Sequence, residues 1–376
     1  MLIVADDKIP FLKGVLEPYS KVVYIPGASI SAHDVKEADA LIVRTRTKVN
    51  SHLLSDSKVK GVVSATIGTD HMDIPWLEKN NIAWSNAPGC NSGSVKQYIA
   101  SVLSTLQLKG FSLEGKTLGI VGVGNVGSKV AKVGEAFGMK VVMNDPPRNE
   151  RESDFPNTDL NVLLQISDVV TFHVPLTKEG KFPTYHLLND TTLMMLKRGC
   201  IVINSSRGEV VKEESLLKGL RMGLIENAVL DVWEHEPDIL RELQEKLLIG
   251  TPHIAGYAVD GKANGTAAAV RFISQLFHLG LGDWYPNDLP SPGNMHIMLN
   301  DDDDPMNLKL AKLILQTYDV SEDSCRLTEK PEKFEALRGN YPVRREFSRW
   351  TVRLSDKNSD LQRSLQLLGF IIDFHS

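Results

Sequence analysis

In this 376-residue chain, three short runs carry residues able to do chemistry. Asn204-Ser205-Ser206-Arg207-Gly208 offers a guanidinium, which can grip a carboxylate through two parallel hydrogen bonds and polarise a neighbouring carbonyl. Asp231-Val232-Trp233-Glu234-His235-Glu236-Pro237 places Asp231 at the end of an apolar stretch and Glu236 in the loop beyond it. Thr251-Pro252-His253-Ile254-Ala255-Gly256 holds an imidazole in an uncharged turn, and histidine is the side chain suited to proton exchange near neutrality. With Glu236 against His253, the carboxylate would orient the ring and stabilise the imidazolium formed when His253 takes up a proton. Each residue alone also has a plainer reading: a surface arginine capping a helix, acids of a solvated loop, a histidine packed in a core.

A fourth run binds rather than reacts. Leu118-Gly119-Ile120-Val121-Gly122-Val123-Gly124-Asn125-Val126-Gly127 reads as a buried strand, a Gly-x-Gly-x-x-Gly turn and the start of a helix. Gly122 permits the tight turn, Gly124 lets backbone N–H groups approach a pyrophosphate, and Gly127 lets the helix pack close to the strand. A second strand, residues 140–144, ends at Asp145, about twenty residues on, where an acid accepts hydrogen bonds from ribose hydroxyls and repels a 2′-phosphate. The order strand, glycines, helix, strand, acid predicts a dinucleotide site with NAD preferred over NADP. Arg148 is the neighbour able to reverse that preference.

These residues need a scaffold with strand ends on one edge. Residues 168–173 and 200–204 are near-continuous apolar runs, as strands covered on both faces require, and a further strand spans 228–232. Ligands in such folds sit outside the carboxyl ends of the strands, where all four runs lie. Before them, residues 2–5, 22–25, 40–43, 61–65 and 82–85 alternate with polar or helical segments and predict a parallel sheet without a glycine fingerprint. Helical spacing marks residues 94–108 and 261–280. Pro286, Pro290, Pro292 and the acidic run 300–305 mark a boundary, followed by helices at 306–318 and 360–368 and strands at 349–354 and 370–374. The expected architecture is α/β: a Rossmann-type domain over 94–257 inserted in a flavodoxin-like domain of 1–93 and 258–285, then a small α+β domain over 286–376.

Net charge of −5 and a pI near 6.1 give no global attraction to nucleic acid or an anionic membrane, so any anion site must be built locally. No run of about 18 apolar residues predicts a membrane span, and no basic leader opens the chain, so a cytoplasmic location is expected. Three cysteines predict no disulfide framework. His71 and Asp73 share a short run without completing a metal-ligand set, and no metal is expected.

Taken in order, the glycine fingerprint, the Asn-Ser-Ser-Arg-Gly run, Asp231 with Glu236-Pro237, and Pro252-His253-Ile254-Ala255-Gly256 resemble the D-isomer-specific 2-hydroxyacid dehydrogenases. The resemblance extends through Val43-Arg44-Thr45-Arg46, Gly68-Thr69-Asp70-His71, Asn86-Ala87-Pro88-Gly89 and the tail Asn340-Tyr341-Pro342-Val343-Arg344-Arg345. It implies a catalytic triad of Arg207, Glu236 and His253. It also implies NAD contacts from Gly122, Gly124, Asn125, Val126, Gly127, Asp145, Val174, Ser205, Ser206, Arg207, Asp231 and Gly256. Arg44, Thr45, Thr66 and Tyr257 would contact a phosphorylated 2-hydroxy acid, with Arg44 the first candidate for the phosphate and Arg46 the second. The basic pair Arg344-Arg345 would belong to a packing surface of a homodimer. Three positions depart from the family pattern: Asp7-Lys8, Thr45 for a common serine, and Val174 for a frequent threonine at a cofactor contact. A dehydrogenase for another 2-hydroxy acid such as 3-phosphoglycerate, and a non-catalytic NADH-sensing protein, stay open at this point.

Overall fold

A computed structural model describes residues 1–299, 303–354 and 359–374, so residues 300–302 of the acidic run lie outside the described residues. The chain forms two compact units, one of residues 1–91 with 258–290, the other of 92–257 with 291–376.

The first unit is a parallel sheet of β1 (Leu2–Asp6), β2 (Lys21–Ile25), β3 (Ala40–Val43), β4 (Gly61–Ser64) and β5 (Ala83–Ser85), in the order β2-β1-β3-β4-β5. This is the flavodoxin-like order. Side chains alternate between faces along each strand. Ile3, Ala5, Ile42 and Val63 pack with Ala269, Val270 and Ile273 of the helix Val259–Phe277, while Val4, Leu41, Val43 and Val62 pack with Val35, Leu54 and Leu77. Both faces are therefore covered, which is why these strands read as continuous apolar runs.

The second unit holds a six-stranded parallel sheet: β6 (Thr117–Val121), β7 (Lys140–Asn144), β8 (Val169–Phe172), β9 (Cys200–Asn204), β10 (Ile225–Leu230) and β11 (Ile249–Gly250), ordered β11-β10-β9-β8-β6-β7. A single parallel bridge, Met143 to Asn157, adds a vestigial strand beyond β7. With it the order becomes that of the Rossmann fold, which reverses between β6 and β8. The strands end in register. Asn144, Val121, Phe172, Asn204, Leu230 and Gly250 form one row across the carboxyl edge. The next residue in each case is Asp145, Gly122, His173, Ser205, Asp231 or Thr251.

Residues 291–376 share a buried core with this sheet. They carry a three-stranded parallel sheet of β12 (His296–Met298), β13 (Thr351–Leu354) and β14 (Ile371–Phe374), in the order β12-β13-β14. Leu310, Leu313, Ile314, Val352 and Leu365 join Ile99, Leu103 and Leu106 of the helix Ser92–Leu108 and Ile120, Ile201 and Ile203 of the Rossmann sheet. Most polar residues of that helix are buried too, and the tail supplies partners for three of them. Ser94 donates to Glu346, Gln97 to the Arg345 carbonyl, and Ser101 to the Tyr318 carbonyl. The helix is thus enclosed over most of its length, and the tail clusters with the nucleotide half. Arg344 and Arg345 are both nearly inaccessible, which corrects their expected place on a packing surface: the His253 turn accepts the Arg344 guanidinium, and Gln97 holds the Arg345 backbone carbonyl in the interior. No helix among the described residues is long and apolar enough to cross a membrane.

Candidate active site

The glycine turn has the geometry its sequence predicts. Gly122 adopts φ +88°, a left-handed conformation that disfavours other residues. A Cβ at Gly127 would lie 2.1 Å from the Gly122 carbonyl oxygen, so the helix Gly127–Ala136 approaches its strand as only glycine allows. Nothing lies within 4 Å of where a Gly124 Cβ would stand, leaving space over the turn. Val174 closes the other side, since a Cβ at Gly122 would meet its Cγ1 at 2.7 Å.

At the end of β7, Asp145 caps the following short helix. Its Oδ1 accepts from Arg148 N at 2.9 Å and its Oδ2 from Val123 N at 2.8 Å. Each carboxylate oxygen can accept a second hydrogen bond, which a ribose hydroxyl would supply. Arg148 is held away from that task. Its Nε donates to Glu152 at 2.8 Å, its Nη1 to the Val123 carbonyl at 2.8 Å, and its guanidinium lies 4.6 Å from the Phe155 ring centre. The cation that could have favoured a 2′-phosphate is already balanced by Glu152.

The loop after β9 is organised by Asn204, whose Oδ1 accepts from Ser206 N and Ser206 Oγ and whose Nδ2 donates to the Arg207 carbonyl. Arg207 Nη1 donates to the Ser206 carbonyl at 2.9 Å. The Ser205 hydroxyl is buried and makes no hydrogen bond among the described residues. A buried unpaired hydroxyl is costly, so its place on the carboxyl edge of a Rossmann sheet suits a bound dinucleotide. With the glycine cradle and the free valences of Asp145, it shows that the residues present fit NAD.

Glu236 and His253 meet as the sequence reading required. His253 Nδ1 lies 2.8 Å from Glu236 Oε2 and 3.1 Å from Oε1. Glu236 Oε1 also accepts from Trp233 N at 3.0 Å. Burial would raise the Glu236 pKa, but the His253 hydrogen bond and charge, the Trp233 N–H and the Arg338 charge together bring it below the usual carboxylate value. Glu236 is therefore an anion held against an imidazole. The Arg207 loop packs on the Glu236 loop through Gly208, where a Cβ would stand 2.0 Å from the Trp233 carbonyl oxygen.

His253 itself sits at φ +57°, a conformation uncommon for a residue with a side chain. The turn is clamped from two sides. Asp231 Oδ1 accepts from Thr251 Oγ1 and Ile254 N, both at 2.7 Å, and its Oδ2 from Ala255 N at 2.9 Å. Asp231 is only 1% exposed, and burial raises its pKa above the usual range in spite of these bonds. It shapes the turn that presents His253 and Gly256. From the opposite side Arg344 Nη2 donates to the carbonyls of Ala255 at 2.5 Å and Ile254 at 3.3 Å. Arg344 stacks its guanidinium 4.4 Å from the Tyr318 ring centre and 5.6 Å from that of Tyr341.

The remaining expected substrate residues fall in both units. In the first, Arg44 and Thr45 follow β3 and Thr66 follows β4, the neighbouring strand. Thr66 Oγ1 lies 2.8 Å from Ser64 Oγ. Arg44 is engaged by a wholly buried acid: its Nε donates to Asp6 Oδ2 at 3.1 Å and its Nη2 to Oδ1 at 3.3 Å. In the second unit, the Tyr257 hydroxyl accepts from Arg338 Nε at 2.8 Å. Three participants escaped the sequence reading. Arg338 and Arg344 lie some ninety residues beyond the turn they serve, with no local pattern to tie them to it. His173 occupies the row past the β8 end, where burial lowers its pKa to about 3 and Thr171 Oγ1 lies 2.9 Å from its Nε2.

The chain matches known proteins along almost all of its length. Residues 94–255 match the model of the D-isomer specific 2-hydroxyacid dehydrogenase NAD binding domain, and residues 289–369 match a domain of unknown function, DUF3410. The chain belongs to the D-isomer-specific 2-hydroxyacid dehydrogenase family and carries its NAD-binding domain. Among its relatives, an erythronate-4-phosphate dehydrogenase of Bacteroides thetaiotaomicron is 48% identical over 94% of this chain and 99% of its own length. A second, from Proteus mirabilis, is 41% identical over 98% of this chain and 99% of its own. Solved structures share the fold. D-lactate dehydrogenase of Aquifex aeolicus, complexed with NAD and lactic acid, superposes with a TM-score of 0.63 at 26% identity, covering 75% of this chain and 97% of that one. NAD⁺-bound 3-phosphoglycerate dehydrogenase of Entamoeba histolytica gives 0.63 at 27% identity, covering 77% and 99%.

The geometry of Asp145 and Arg148 carries a first prediction. Asp145→Asn keeps the helix cap but removes the charge. The ratio of kcat/KM for NAD to that for NADP should fall by about tenfold, one charge-assisted hydrogen bond's worth. An unchanged ratio would remove Asp145 from cofactor selection.

Proposed function

We propose that this chain oxidises the C2 hydroxyl of 4-phospho-D-erythronate with NAD⁺, giving 3-hydroxy-2-oxo-4-phosphobutanoate, a step toward pyridoxal 5′-phosphate (vitamin B6). The observation that carries this reading is the His253–Glu236 pair, on the carboxyl edge of an NAD-binding sheet and beside the Arg207 loop. The relatives at 41% to 48% identity, named erythronate-4-phosphate dehydrogenases, support the substrate.

Bound NAD⁺ would accept the two electrons and one hydrogen lost at C2. Gly122, Gly124, Asn125, Val126 and Gly127 would cradle its pyrophosphate, Asp145 its ribose, and Val174, Ser205, Ser206 and Gly256 would line its remaining length. Arg207 holds the substrate carboxylate with its fork of donors and polarises the C2 oxygen. His253 has Nδ1 against Glu236, so its Nε2 takes the hydroxyl proton. Glu236 stabilises the imidazolium so formed, and the clamped turn keeps the ring in place, so positioning and electrostatics are what this chain contributes. Thr45, Thr66 and Tyr257 contact the rest of the substrate.

Substrate comparison tests the reading. The full-length protein should form NADH from 4-phospho-D-erythronate with kcat/KM about 100-fold above that for 3-phosphoglycerate or D-lactate. A preference for either of the others, or no NADH from any, rejects it.

The same reading includes a homodimer built through the tail. The outer face of the β12-β13-β14 sheet carries Met298 and Ile371, each at least half exposed, with Arg353 paired to Asp373 between them. Deleting the tail would strip the core of the nucleotide half, so surface substitutions are the cleaner test. The parent should run at twice the chain mass in light scattering, and Met298→Asp with Ile371→Asp should run as a monomer. A parent monomer, or a variant that stays dimeric, defeats the idea.

A further inference from the structure

Arg338 is a largely buried cation beside the reacting groups, and among the described residues its closest ion pair, to Glu236, is 4.0 Å long. It lies on the helix Phe334–Gly339 of the tail, and its side chain is 21% exposed. Its Nε donates to Tyr257 Oη at 2.8 Å, and its guanidinium lies 5.7 Å from that ring's centre. Its Nη1 reaches Glu236 Oε2 only at 4.0 Å, and that oxygen already serves His253 at 2.8 Å. Glu335, on the same helix, attracts it without a hydrogen bond. Among the described residues, its Nη groups make no hydrogen bond and only the one long ion pair to Glu236.

A largely buried guanidinium needs an anion. Its planar fork matches phosphate oxygens two at a time, which a lysine cannot do. The competing candidate is already compensated, because both donor edges of Arg44 that face Asp6 are spent on a buried carboxylate. Arg207 cannot serve both ends of the substrate if it holds the carboxylate.

We propose that Arg338 anchors the terminal phosphate of the substrate, so that the tail supplies the group that selects a phosphorylated 2-hydroxy acid. This rests on the oxidation of 4-phospho-D-erythronate proposed above. Tyr257, held by Arg338 Nε, sets the orientation of the fork.

Full-length parent, Arg338→Met and Arg338→Lys are compared on 4-phospho-D-erythronate and on D-erythronate, which lacks the phosphate. In Arg338→Met, kcat/KM for the phosphorylated substrate should fall about 30- to 100-fold further than for D-erythronate, mainly through KM, as expected for a charged hydrogen-bond pair. Arg338→Lys should recover part of the loss. Inorganic phosphate, titrated calorimetrically into the same full-length proteins, should bind the parent and lose about tenfold or more in affinity in Arg338→Met. Equal losses on both substrates, or a phosphate affinity that Arg338→Met leaves unchanged, would overturn the proposal and leave Arg338 a support for Tyr257 and Glu236. The calorimetric arm needs no turnover. A parent that ignores 4-phospho-D-erythronate but binds phosphate through Arg338 would therefore sink the reaction and spare the anion site. A parent that binds no phosphate would sink the anion site itself. Should Arg338→Met fail to fold by circular dichroism, Arg338→Lys is judged by the same two ratios.

Discussion

His253→Asn should lower kcat for NADH formation by about 10²- to 10⁴-fold, the usual worth of a positioned general base. Asparagine is the informative replacement because the backbone at 253 stands at φ +57°, which asparagine tolerates far better than most residues. Alanine would remove the base and strain the turn together. In His253→Asn the Asp231 bonds to Ile254 N and Ala255 N persist, since they involve backbone donors beyond the substituted side chain. NADH binding, followed by its fluorescence, should therefore stay within about threefold of the parent, because the substitution removes an interaction made in the transition state. A parental kcat would end the role of His253, and a large loss of NADH affinity would show that the ring supports the cofactor site rather than the proton.

Arg344→Met should have the second largest effect, and on two scales at once. The guanidinium donates to two carbonyls of the His253 turn, and donor and acceptors are all buried. A hydrogen bond to a charged group contributes roughly 1.5–3 kcal/mol, so the loss should be about 3 kcal/mol. For a unit of this size that corresponds to a fall in Tm of roughly 6–12 °C, at 2–4 °C per kcal/mol. The freed turn would also place His253 less well, and kcat at 25 °C, where the variant stays folded, should fall about tenfold or more. A lowered Tm with parental kcat would make Arg344 a packing residue only. Parental values for both would mean that the Asp231 side of the clamp holds the turn unaided.

Much of this was written locally. The five strands of the first unit and the strands at 140–144 and 200–204 are legible because both sheet faces are covered, which forces continuous apolar runs. The glycine turn is legible because two backbone constraints, at Gly122 and Gly127, and the open position Gly124 fall within six residues. Glu236 and His253 are legible as candidates, and their meeting follows from adjacent parallel strands that end in register. What was not legible depends on distance along the chain. The serine-rich helix Ser92–Leu108 is marked by the spacing of its apolar residues, yet the tail also buries its polar side by supplying partners for Ser94, Gln97 and Ser101. Arg344 reads as surface charge because nothing nearby announces the aromatic rings and carbonyls that receive it. Arg44 reads as an available cation because its partner, Asp6, belongs to a different strand.

The two-sided clamp also bears on when this protein becomes competent during its manufacture. Arg344 lies 90 residues after Ile254, whose carbonyl it holds. At roughly 5–20 residues per second, a ribosome that has just delivered the turn needs several more seconds to deliver its fastener. In that interval the nascent Rossmann sheet has all its strands, while the imidazole loop is secured from one side only. Catalytic readiness is thus scheduled for the end of translation, and fragments released early would lack both the second side of the clamp and the tail's share of the buried core.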